Sequence, residues 1–225
     1  MKYYYDLQEG VYDPNIFKAF FLAGGPGSGK SEVVRRTTGG LGLKIVNSDD
    51  YFEKLLKRAG LSLKMPPEEE VPRDIKRLKA KELTKLRKEN YLEGRLGLVI
   101  DGTGHDAAKL IRQSIALQEL GYDTHMIFVN TSQDVALQRN AERPRSVPES
   151  IVINSWKNVQ ANIGAFSQHF GGGRFIVIDN NDPKEKMQKD IFPKVWKIIR
   201  GLTKKKVNNT RAQNWISMEL AKKAR

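Results

Sequence analysis

Residues 24–31 read GGPGSGKS and satisfy G-x-x-x-x-G-K-[ST] in full, with Gly24, Gly29, Lys30 and Ser31 at the four fixed positions. An apolar, β-type run, IFKAFFLA (16–23), precedes them, and SEVVRRTT follows as a helix opening. Strand, glycine loop and helix in that order turn successive backbone N–H groups toward one point and aim a helix N-terminus at it. Gly25, Pro26, Gly27, Ser28 and Gly29 then cradle a polyphosphate, Lys30 reaches the β- and γ-phosphates of ATP, and the Ser31 hydroxyl holds Mg²⁺. A flexible turn of small residues is the competing account, and the flanking strand and helix argue against it.

Five apolar, β-branched runs bounded by turn signals predict strands at 16–23, 43–47, 96–101, 125–130 and 174–179. Several are continuously apolar, as strands buried on both faces are. Helical patterns separate them, over roughly 29–38, 50–59, 68–93, 107–120, 132–142 and 148–168. The alternation predicts an α/β three-layer sandwich: a five-stranded parallel sheet, helices on both faces, right-handed crossovers, and ligands at the C-terminal ends of the strands. Residues 1–15 read as an added N-terminal arm, 16–201 as the P-loop domain with a small lid at about 139–150, and 202–225 as a basic C-terminal tail.

The chain has 225 residues, a formal net charge of +13 and no cysteine, so disulfides, thiolate catalysis and cysteine-ligated zinc are excluded. The three histidines (His105, His125, His169) lack metal-ligand spacing. The N-terminus has no apolar signal region and no run approaches the ~18 residues that span a bilayer, so no membrane contact and a cytoplasmic location are expected. Residues 200–225 carry eight Lys/Arg and one Glu, a net of +7, and so hold more than half of the basic excess. In that tail Thr210 suits an N-cap, with Trp215, Ile216 and Leu220 as an apolar stripe. Docking on its own domain is the expected role, and contact with a polyanion or a protein partner the alternative.

Other strand ends carry further chemistry. VNSDDYF (46–52) places Asp49 and Asp50 where the γ-phosphate is expected, and phosphoryl transfer to an alcohol needs a group that orients the hydroxyl and accepts its proton. Asp49 suits that role, and Asp50 suits capping the next helix or touching substrate. VIDGTG (99–104) ends in Asp101, suited to a Mg²⁺-bound water or to gripping substrate, with the Thr103 hydroxyl beside it. QRNAERPRSVPES (138–150) carries Arg139, Arg143 and Arg145, whose forked guanidiniums fit a lid over phosphates or a solvated basic loop. VIDNND (177–182) puts Asn180 or Asn181 near the expected adenine site.

Together these segments resemble the zeta-toxin and polynucleotide-kinase branch of P-loop kinases over about residues 17–182. LGLVIDGTG followed by LIRQSIALQELGYDTHMIFVN is similar to the zeta-toxin segment in which an acidic-Gly-Thr-Gly ends a strand. VNSDDYF resembles the segment that supplies the catalytic aspartate, and QRNAERPRSVPESIV resembles the lid. The N-terminal stretch through the glycine loop also resembles zeta-toxin-family proteins of tailed bacteriophages. The resemblance implies ATP and Mg²⁺, Asp49 as base, Arg139 and Arg143 as phosphate clamps with Arg145 nearby, and Asp101 and Thr103 on the substrate side. Two departures stand out: Phe52 lies near the place where polynucleotide kinases carry an arginine, and Asp101 replaces a glutamate. The leading reading is therefore a kinase of an alcohol on a small molecule such as a nucleotide-sugar. A kinase of nucleic-acid 5′-hydroxyl ends is the alternative, and a non-enzymatic ATP-binding assembly protein the third reading.

Overall fold

The computed structural model describes residues 10–143 and 146–224. The five predicted runs form β1 (Lys18–Ala23), β2 (Lys44–Val46), β3 (Leu98–Ile100), β4 (Asp123–Asn130) and β5 (Phe175–Asp179). They lie in one sheet of order β2-β3-β1-β4-β5, every neighbouring pair parallel. The long helices between and after them are α1 (Lys30–Thr38), α2 (Ser48–Arg58), α3 (Glu70–Glu93), α4 (Ala107–Glu119), α5 (Gln133–Ala141), α6 (Glu149–Ala161) and α7 (Ile163–Phe170). A short α8 (Lys184–Lys186) runs through a π-turn into α9 (Phe192–Thr203), and α10 (Thr210–Lys223) closes the chain.

Strand alternation divides the core between two faces. Phe20 and Leu22 of β1 meet Val33 and Val34 of α1 and Phe192, Val195, Ile199 and Leu202 of α9. On the other face Phe21 and Ala23 belong to one cluster with Leu110 and Leu117 of α4 and Phe166 and Phe170 of α7, which Ala212 of α10 joins at its far end. This is the α/β sandwich of a P-loop kinase. The central β1 is buried at every residue, whereas β5 alternates, with Val177 about half exposed. An edge strand has no second neighbour to bury it, so continuous burial stops there.

Three local expectations differ from the structure. The predicted helix 148–168 breaks at Asn162, whose side chain donates to the carbonyls of Gly104 and His105. A helix not predicted, α9, is carried by the spacing of Phe192, Val195, Ile199 and Leu202. The cap of α10 is Asn209 and not Thr210: its carboxamide oxygen accepts from the backbone N–H of Arg211 and Ala212. α10 packs through Ala212, Trp215 and Ile216 on the core, with Trp215 edge-on to Phe17 at 5.5 Å. Because Phe17 precedes β1 and Gly121, which contacts Ala212, precedes β4, α10 sits at the end of the sheet opposite the glycine loop.

Two buried polar groups lie at that same end. Lys18, 1% exposed, pairs with the Asp123 carboxylate of its register partner. His125 stacks on Phe20 with ring centroids 5.0 Å apart, and burial pulls its imidazole down to about 4, against the opposing pull of Asp123. Lys18, Arg174 and Lys205 add to the lowering. The folded value lies below the unfolded one of 6.5, so the unfolded chain binds the extra proton between the two. Stability is therefore full above pH ~6.5 and falls as pH drops toward 4, by about 3 kcal/mol in all. His125→Phe should flatten the Tm-versus-pH curve in that window, and an unchanged slope would place the acid sensitivity elsewhere.

Candidate active site

The glycine loop hangs between β1 and α1 and is held from several sides. The Gly24 N–H donates to the Thr103 carbonyl (2.9 Å), tying the loop to the end of β3. The Asn180 amide donates to the Ser28 carbonyl (2.8 Å), and the Asn180 carbonyl accepts from Arg139 (2.7 Å). Gly27 and Gly29 adopt φ +78° and +80°, where only glycine is at ease. A Cβ on Gly27 would stand 2.0 Å from the Ala136 carbonyl oxygen, and one on Gly29 2.4 Å from the Asn180 amide nitrogen. Close backbone packing of this kind leaves the inner side of the loop for a ligand. That side opens into a cavity of about 360 Å³ lined by Gly25, Gly27, Ser28, Gly29, Lys30 and Ser31 together with Arg139 and Arg143.

Lys30 is drawn toward neutrality by burial, which Asp101 opposes, Arg143 reinforces and Asp49 again opposes. The lysine, two carboxylates from different strand ends and an arginine after α5 therefore feel one another at one place. Asp101 is pushed up by burial, against the nearby Lys30, and its Oδ1 is buried with no hydrogen-bond partner among the described residues. Ser31 shares a cavity with Asn47, Asp49, Asp50, Glu53 and Arg143, and a second one with Asp50 and Asp101. Thr103 turns the other way, its hydroxyl on the His105 ring, in a pocket of about 220 Å³ that also includes Asp101, Asp106, Lys109 and Gln113.

Several expected residues have different surroundings from those their types suggest. Neither Asp49 nor Asp50 caps α2: the cap is Asn47, whose side chain accepts from the Asp49 N–H at 2.8 Å. A carboxamide at the cap leaves both aspartates in the first turn, facing the cleft. Arg139 lies on α5 and not in a loop, and its Nη1 is engaged with Asn180. Asn180 is 6% exposed and spent on the loop backbone. Pro26 is half-buried in the loop, and Arg145 lies outside the described residues.

One contact had no signal in the local sequence. Arg77, on α3, donates to Asp49 Oδ1 at 2.8 Å, and its guanidinium lies 3.7 Å from the centroid of the Phe52 ring. The α2–α3 hairpin has a small core of its own, around Phe52, Leu56 and Ala80, and that core fixes the arginine over the aspartate. Trp156 of α6 was likewise unmarked: its indole N–H donates to the Thr131 carbonyl while its backbone borders Gly25.

A family profile described as an AAA domain matches residues 20–165, which span the glycine loop, Asp49, Asp101 and Arg143. The chain belongs to this AAA-domain family. No curated protein matches the sequence. Among solved structures, the AAA domain is similar to a putative kinase from Chloroflexus aurantiacus J-10-fl, at 15% identity over 82% of this chain and 97% of that one, with a TM-score of 0.57. It is also similar to a chain of the Pnkp1/Rnl/Hen1 RNA repair complex, at 20% identity over 67% of this chain and 46% of that one, with a TM-score of 0.51. At these identities the likeness is one of fold. Among the described residues, no helix is long and apolar enough to cross a membrane.

Proposed function

We propose that this AAA domain is an ATP-dependent phosphotransferase that moves the γ-phosphoryl group of ATP to the hydroxyl of a small molecule. The observation that carries the reading is that Arg143 lines both the loop cavity with Lys30 and Ser31 and the adjoining cavity with Ser31 and Asp49, while Asp101 shares a third cavity with Ser31. A phosphate-binding loop alone serves any nucleotide-binding protein. A loop facing a carboxylate that can take a proton and an arginine that can offset charge suits group transfer. The non-enzymatic reading has no use for that carboxylate.

The reaction needs three things of the chain. The loop and Lys30 hold the phosphates, and Arg139 and Arg143 offset charge that spreads over the transferring group. Asp49 orients the acceptor hydroxyl and takes its proton late in the transfer. The residues also fit a magnesium ion: the Ser31 hydroxyl and the Asp101 Oδ1, which has no partner among the described residues, are hard oxygen donors beside the phosphate site. Among the described residues no group of three or more His, Cys, Asp or Glu forms a protein-only cage, and Mg²⁺ in kinase sites is held by few protein ligands plus phosphates and water. The ion would neutralise the β- and γ-oxygens.

The acidic-Gly-Thr-Gly at 101–104 keeps the zeta-toxin resemblance in view and makes nucleotide-sugars the first acceptors to offer. The deciding experiment gives the purified protein γ-labelled ATP with nucleotide-sugars and with 5′-hydroxyl oligonucleotides in parallel. Label is expected in the nucleotide-sugar arm, and label only in the oligonucleotide arm would replace the acceptor class. Lys30→Ala is expected to abolish transfer and weaken ATP binding, since a charge-assisted contact to phosphate is lost. Unchanged affinity together with unchanged turnover would overturn the phosphate-site assignment.

A further inference from the structure

The basic excess near the C-terminus is not where the tail helix docks. In α10, Arg211 is spent on the Glu119 carbonyl, Lys222 on Glu219, and Lys223 lies over the Tyr12 ring. The stretch from Phe192 to Lys206 differs: it holds Lys194, Lys197, Arg200, Lys204, Lys205 and Lys206 and no acidic residue. Among the described residues none of these six forms an ion pair with a carboxylate, and all are exposed.

Helical geometry sorts the two sides of α9. Phe192, Val195, Ile199 and Leu202 turn inward onto the sheet and α1. Lys194, Lys197, Ile198, Arg200 and Gly201 face out, and Lys204 continues the row, so a line of positive charge runs for about 15 Å at 1.5 Å per residue. Beside it lies a groove of about 410 Å³ between Arg36 of α1 and Phe192, Pro193, Trp196 and Lys197 of α9. Trp196 is half-buried there, its N–H reaching the Gly39 carbonyl and its ring 5.0 Å from the Arg200 guanidinium. The nearest carboxylate on α1, Glu32, is already taken by Arg35 and Arg36. Asp190, before the helix, is the acid closest in sequence.

We propose that the outer face of α9 with Lys204–Lys206 is a binding surface for single-stranded nucleic acid. Unpaired cations in a row suit regularly spaced phosphates, and an aromatic ring in an adjoining groove suits a base that stacks. Duplex readout is disfavoured because α9 lies flush against α1 and cannot enter a groove. A bilayer surface is disfavoured because the apolar side of α9 is buried, leaving Ile198 as the large hydrophobic residue of the helix that is exposed. The surface is separate from the phosphate loop, and the proposal does not depend on the phosphotransfer reading.

The test is fluorescence anisotropy of a labelled oligothymidylate with the full chain between about 50 and 200 mM salt. Four or five neutralised phosphates predict a slope of log K against log salt of about −3, at roughly −0.7 per phosphate. The triple variant Lys194→Gln/Lys197→Gln/Arg200→Gln, changed only at exposed positions, is expected to make that slope shallower by about 2. Lys222→Gln/Lys223→Gln should leave it unchanged. Trp196→Leu, with its fold checked by circular dichroism, should weaken the oligonucleotide by about 5- to 100-fold while leaving inorganic polyphosphate unaffected. The proposal is overturned if the oligonucleotide does not bind or if the triple variant keeps the wild-type slope. It is equally overturned if polyphosphate or phosphatidylserine vesicles bind as tightly as the oligonucleotide with Trp196 making no difference.

Discussion

Asp49→Asn is expected to lower the rate of phosphoryl transfer by about 10²–10⁴-fold while ATP affinity stays nearly intact. That loss corresponds to about 3–5 kcal/mol of barrier, the usual contribution of a general base. The change keeps the shape of the side chain and removes only its capacity to take a proton. It also leaves α2 intact, because Asn47 and not either aspartate holds the cap. Asp50→Asn should cost far less, since Asp49 is the aspartate gripped by Arg77. Arg77→Met tests the grip: methionine retains bulk over Phe52 but loses the hydrogen bond. Without that hydrogen bond the carboxylate is held less firmly and spends less time in a reactive geometry, so kcat should fall by roughly tenfold with the KM for ATP unchanged. An active Asp49→Asn protein beside an inactive Asp50→Asn one would move the catalytic carboxylate by one position. An Arg77→Met enzyme with wild-type kcat would reduce the ion pair to a surface contact.

Gly27→Ala should be the most damaging change in the loop that adds only one methyl group. Two costs combine. A non-glycine residue at φ +78° costs about 1–2 kcal/mol. Beyond that, the new methyl would stand 2.0 Å from a backbone oxygen of α5, and backbone cannot move aside as a side chain does. Either the loop leaves its position or α5, which carries Arg139, shifts. ATP binding should therefore be lost or weakened by at least about tenfold, with a fall in Tm. Gly172→Ala separates the two costs: its φ is +69° but nothing lies within 4 Å of the added carbon. That variant should lose only the conformational part and bind ATP normally. Equal effects of the two substitutions would mean that the contact with α5 is unimportant.

Much of the architecture follows from local rules that the sequence states openly. A glycine loop needs glycine wherever φ is positive, and an apolar run between turn signals has few alternatives to a buried parallel strand. That is why the loop, the five strands and the placement of Asp49 and Asp101 at strand ends were readable from residues 16 to 179. Where reading failed, the deciding partner lay far away along the chain. The row Phe192, Val195, Ile199 and Leu202 is a plain helical stripe, yet only its burial against α1 shows that the opposite side is a row of unopposed cations. The net charge of residues 200–225 is visible in the sequence. Which of those charges are consumed by docking depends on Arg211 meeting α4 and Lys223 meeting Tyr12. Asn47 was hidden because Asp, Ser and Asn all make good caps, and local sequence does not rank them when they are adjacent. Arg77 was hidden because it stands 28 residues from Asp49, and no periodicity links the two. The sequence alone determined the loop, the strands and the types of charged group at their ends. The tertiary structure decided which of those groups meet, because a hydrogen bond between distant residues is set by how helices pack and not by what each helix is.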